Sequence, residues 1–196
     1  MTRSLKAAAV FGFGGVTVLR TLDTLFRSDG RSLEEEVAAV GFAAGVLVAM
    51  GAAGGWVLMS GVGDKARTVR ASVGFAIGFL LPAGSLFMIF AKPEGAMLLF
   101  IPVCLVAAPC IGMLFVKPRR ALHAAVAFAG LIAAIIPILG TLDYLESIGY
   151  SGSPFIALLF YLAYLIPFAG GGAVLGVLAE PTDEDKTASP DSANSA

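Results

Sequence analysis

Charge is what this 196-residue chain has least of. Asp, Glu, Lys and Arg supply 14% of it, hydrophobic residues supply 58%, and mean hydropathy is +0.88. A soluble domain carries about a quarter charged residues, so this chain cannot cover a water-facing surface. The shortage is also uneven, because long charge-free runs alternate with short charged ones. That pattern excludes an ordinary soluble fold and points to an all-α, polytopic transmembrane helix bundle. A net charge of −1 leaves no basic excess for nucleic acid.

Residues that carry chemistry are equally scarce. The single histidine, His123, cannot make a bis-histidine haem site or a zinc triad within one chain. Cys104 and Cys110 are the only cysteines. They stand six helical steps apart, a rotation of about 240°, so they share no face for a disulfide or a metal. No lysine lies inside a span to hold a retinal, and no carboxylate lies deep enough to relay a proton or sodium ion. Signatures for metalloproteases, phosphate loops and nucleophile elbows are absent. Asp143 and Glu146 could share a helical face, but without a partner or pocket they read as part of a solvated loop. Neither catalytic residues nor a metal or cofactor is expected.

What is present is span-length apolar sequence. Five uncharged runs, 37–62, 71–91, 96–116, 121–142 and 155–179, are long enough for a hydrocarbon core of ~30 Å. They must be helical, since a lone strand in lipid leaves its backbone groups unpaired. Residues 7–26 are ambiguous: a sixth, tilted span or an amphipathic helix in the membrane surface. Arg20, Asp23 and Arg27 fall where they can pair on one face. No small-x-small site follows the first apolar run, so it reads as a retained anchor and not a cleaved signal. The acidic tail EPTDEDKTASPDSANSA, 180–196, is expected to be disordered and cytoplasmic, beyond a bundle of residues 1–179.

Charge placement orients the spans. GDKARTVR (63–70) and KPRR (117–120) are two crossings apart and share a side, which the positive-inside rule makes cytoplasmic. KPEG (92–95) and 141–154 hold only one lysine between them. Six spans then put both termini in the cytoplasm of a multi-pass cell-membrane protein. The echo of TLDTL (21–25) in TLDYL (141–145) marks two outward-going spans at the same interface. It raises a duplication of spans one and two as five and six, although similar short matches also join segments that run in opposite directions.

Small residues mark helix packing in lipid. Gly41, Gly45, Ala49 and Ala53 form a ridge on the second span, with Gly51 and Gly55 on a neighbouring face. Gly74 and Gly78 repeat the spacing on the third span, Gly172 and Gly176 on the sixth. Ser32 and Glu35 form a capping-box pattern that starts the second span. Pro82, Pro102, Pro109, Pro137 and Pro167 interrupt the last four, and Pro167 followed by Gly170, Gly171 and Gly172 marks a place for an outright break. Lys117, Arg119, Arg120 and His123 form a candidate contact for lipid headgroups. Tyr144, Tyr150, Tyr161, Tyr164 and Trp56 read as interfacial anchors or core.

Three functions fit. The first is a structural or accessory subunit that binds a second copy or another membrane protein through small-residue faces. The second is a small permease for a neutral or apolar solute, with Ser60, Ser85, Thr141 and the Pro/Gly break lining its path. The third is a lipid-active enzyme near KPRR and His123. Topology is testable directly, in a background lacking Cys104 and Cys110. In intact cells an impermeant thiol reagent is expected to spare cysteines placed at Ala66 and Arg119 and to label one at Ser151. Labelling of the 63–70 and 117–120 segments from opposite sides rejects the threading.

Overall fold

The computed structural model describes residues 2–26, 32–61, 64–88, 100–150 and 152–181. These residues form a helical bundle without strands: α1 (Arg3–Phe26), α2 (Leu33–Met59), α3 (Lys65–Phe87), α4 (Phe100–Val116), α5 (Ala121–Ser147), α6 (Pro154–Leu165) and α7 (Gly171–Leu178). A 3₁₀ turn, Pro118–Arg120, leads into α5, and a π-helical turn, Ile166–Gly170, joins α6 to α7. Five helices, counting α6 to α7 as one, are long and apolar enough to cross a membrane, and α4 is shorter. Arg27, the 92–95 loop and the tail beyond 181 lie outside the described residues.

Local chemistry explains the ends. Ser32 Oγ accepts from the Glu35 amide at 3.3 Å while Glu35 Oε2 accepts from the Ser32 amide at 3.2 Å, so the capping box starts α2. Asp64 Oδ1 accepts from the Ala66 amide at 2.9 Å, which starts α3 at Lys65 and not at 71. The basic stretch expected as a loop is thus the first turns of a helix. Likewise α5 runs on to Ser147, so Asp143 and Glu146 stand exposed on its last turns and not in a loop. Lipid sets where a span must be apolar; it does not stop the helix from continuing into the interface.

The helices pack as a ring of antiparallel chain neighbours from α1 to α5, closed by α7 against α1 and α5. Residues 7–26 therefore belong to a full bundle member. Ala7 and Phe11 of α1 are completely buried. The ring of Phe11 meets Phe75 edge-on with centroids 6.1 Å apart, and Phe79 at 5.7 Å.

Glycines make these contacts possible. The rings of Phe11, Phe168, Phe115, Phe75 and Phe128 occupy the space that a Cβ would need at Gly54, Gly15, Gly74, Gly112 and Gly171, respectively. Elsewhere a backbone carbonyl takes that space: Phe75 O beside Gly51 and Ala7 O beside Gly172, each 2.6 Å from the Cβ position. Such close approach lets short hydroxyls cross between helices. Ser72 Oγ donates to Ala52 O and Ser4 Oγ to Ala173 O, both at 2.8 Å. In lipid these dispersion contacts and cross-helix bonds hold helices together, because lipid tails give no hydrophobic drive for association.

Two substitutions separate seat from surface. Gly54→Ala is expected to cost about 1–3 kcal/mol by overpacking against Phe11. Gly41→Ala, with nothing within 4 Å of its Cβ position, should stabilise α2 by roughly 0.5–1 kcal/mol. Unfolding in mixed micelles measures both, and the reverse order contradicts the packing.

Candidate functional site

The ring brings the basic segments to one end. α1 begins there with Arg3 and Lys6, α3 with Lys65, Arg67 and Arg70, and Lys117, Arg119 and Arg120 join α4 to α5. The opposite end carries Asp23, Glu34, Glu35, Glu36, Asp143 and Glu146, with Arg20 as its cation among the described residues.

At the basic end three cations converge on one target. Lys117 Nζ donates to Glu180 O at 2.6 Å, Arg3 Nη1 to Ala179 O at 3.4 Å, and Arg120 Nη1 reaches Leu178 O at 3.5 Å. These carbonyls end α7, where backbone acceptors lack intrahelical donors and the helix dipole is negative. The charges therefore cap the last helix and tie it to the first helix and to the α4–α5 turn. Of the four residues read as a headgroup contact, Lys117 and Arg120 are drawn to this cap. Arg119 and His123 are exposed, and the structure does not gather the four into one cluster.

Around Pro167 the helix does not part. The chain widens into the π turn Ile166–Gly170 and continues directly as α7. Proline lacks an N–H and its ring crowds the preceding turn, and one wider turn absorbs both without ending the helix. Pro167 and Phe168 are buried. Gly171 seats Phe128, Gly170 faces Leu131 at 3.4 Å, and Gly172 and Gly176 receive the backbone of α1 at Ala7 and Ser4.

The polar residues considered for a solute path are apart. Ser60, Ser85 and Thr141 each donate to a carbonyl of their own helix, Val57, Pro82 and Pro137. Ser85 is buried, Thr141 is exposed, and Ser60 lies at the other end of the bundle. The buried polar side chains among the described residues are Thr68 and Ser85, and both are bonded to backbone carbonyls. No group of three metal-ligating side chains occurs among the described residues, and Cys104 and Cys110 are free thiols.

The small-residue ridges separate into two kinds. Gly74 and Gly78 are filled by Phe115 and the Ala108 carbonyl, as Gly172 and Gly176 are by α1. Gly41, Gly45, Ala49 and Ala53 instead face outward, and nothing lies within 4 Å of the Cβ positions at Gly41 and Gly45. Gly84, Gly130 and Gly140 are also unopposed; Gly130 has Ala134 four residues on, beside Ala129 and Ala133 on the exposed side of α5, so the α2 ridge differs in carrying two glycines in series. Comparison with known protein families, with curated proteins and with solved structures finds no match to this chain.

Sequence reasoning placed Lys65 and Arg70 in a loop and so missed that they share the first turns of α3 with Ala66, Val69 and Val73. The available signal was Asp64, whose capping side chain moves the helix start into the basic segment. For the α7 cap, Arg3→Gln combined with Lys117→Gln is expected to cost about 1 kcal/mol, less at high salt. Arg119→Gln should stay within about 0.5 kcal/mol of the parent. Thermal unfolding at two salt concentrations decides; equal losses would remove the capping role.

Proposed function

We propose that this chain is a multi-pass integral protein of the cell membrane, with its basic end and both termini in the cytoplasm, that serves as a structural or accessory subunit. It holds a second copy or another membrane protein through the outer face of α2. One observation carries this reading: the Gly41–Gly45–Ala49–Ala53 ridge faces outward with nothing at its glycines, while the Gly51–Gly55, Gly74–Gly78 and Gly172–Gly176 pairs are filled. Smooth ridges of this spacing let two helices approach closely enough for backbone-to-backbone contact. The orientation rests on charge, since all Lys and Arg of the described residues but Arg20 gather at one end.

A permease is the second reading, favoured by the π turn, because π-helical turns recur at functional sites. It has less support, because Ser60, Ser85 and Thr141 are satisfied separately on three helices.

The ridge admits a clean test, since both glycines are exposed and nothing lies within 4 Å of their Cβ positions. Gly41→Leu with Gly45→Leu should leave unfolding unchanged but abolish association, read as particle mass in detergent and as crosslinking through Ala49→Cys in native membranes. Gly78→Leu is expected to unfold the protein instead. A parent protein that is strictly monomeric and uncrosslinked in membranes rejects the assembly role.

A further inference from the structure

A groove runs down the outside of the bundle between the start of α3 and the end of α4. It is lined by Lys65, Ala66, Val69, Arg70, Val73 and Phe115 and has a volume of about 540 Å³. Its shape follows from one glycine. Because Gly74 has no side chain, the Phe115 ring lies against α3, with Cγ 2.5 Å from the Cβ position, and forms the apolar wall of the groove. Lys65, Val69 and Val73 stand at i, i+4 and i+8, so the stripe extends about 12 Å along the helix axis. Lys65 stands at the polar end and Arg70 about 7.5 Å further along the axis, between Val69 and Val73; Val69, Val73 and Phe115, all partly open to the surroundings, supply the apolar lining.

We propose that this groove seats one anionic phospholipid, its phosphate between Lys65 and Arg70 and an acyl chain along Val69, Val73 and Phe115. The lining matches that ligand in kind: two cations for a charged head and an apolar wall for a hydrocarbon chain, in one groove. A phosphate ion alone has no use for the apolar wall. Arg67 is held by Asp64 at 3.4 Å, whereas among the described residues neither Lys65 nor Arg70 has a carboxylate partner. The cations read from sequence as a headgroup contact are different ones, and two of those are spent on the α7 cap. The inference depends on the membrane reading but not on the α2 ridge; Gly41→Leu with Gly45→Leu leaves this groove intact, so the two proposals fail separately.

Native mass spectrometry of the full chain, released from nanodiscs of equal phosphatidylglycerol and phosphatidylcholine, tests the seat. The parent protein is expected to retain one phosphatidylglycerol in preference to phosphatidylcholine. Lys65→Gln with Arg70→Gln should cut that retention roughly ten- to thirty-fold. Val73→Trp, which fills the groove, should also cut it, and Arg119→Gln should leave it unchanged. Unfolding temperature confirms that each variant is folded, as expected for exposed positions. Equal retention of the two lipids, full retention by the double variant, an equal loss with Arg119→Gln, or displacement of the lipid by excess inorganic phosphate would each overturn the proposal.

Discussion

Most interhelical seams among the described residues depend on the missing side chain of a glycine. In water, burial of apolar surface would join these helices whatever their detailed shape. In lipid that drive is absent, and association rests on how closely atoms can approach. A ring laid over a glycine replaces loosely packed lipid contacts with many at van der Waals distance. Phe11 over Gly54 joins α1 to α2, Phe115 over Gly74 and Phe75 over Gly112 join α3 to α4, and Phe128 over Gly171 joins α5 to α7. The seams are shape-specific for that reason, and one added methyl group changes them.

The rest of the architecture follows from those seats. Gly172 and Gly176 let α7 come to the backbone of α1, and this contact brings Arg3 beside the carbonyls that end α7. Lys117 and Arg120 reach the same carbonyls from the α4–α5 turn. First helix, last helix and a middle turn are thus fastened at one end by charge and along their length by close packing. The opposite end is looser: α5 beyond Phe128 is mostly exposed, with Ile135 and Leu142 as its buried residues.

Two parts of the chain repeat one device. Phe11 precedes Gly54 by the same number of residues as Phe128 precedes Gly171, and both rings seat on their glycines. The shared TLD phrase behaves alike in both places. Thr21 and Thr141 each donate to the carbonyl one turn back, while Leu22 packs on the core and Leu142 is buried.

Composition and local pattern alone determined the apolar, membrane-type character of this chain, its helical class, the approximate extent of its spans and the cap at Ser32; the cap at Asp64 is equally local, but its segment reads as a loop. Each of these depends on residues within a few turns of one another. Which small face of α2 is used inside the bundle was not legible. The Gly41–Gly45 and Gly51–Gly55 pairs have the same spacing, and only the docking of α3 decides that the second is filled. The role of Lys117 and Arg120 was hidden similarly, because the carbonyls they cap arrive from a helix about sixty residues away. The α3 groove needed both a helix start and a ring from α4. Helical periodicity places a residue on a face; only tertiary packing decides what that face meets.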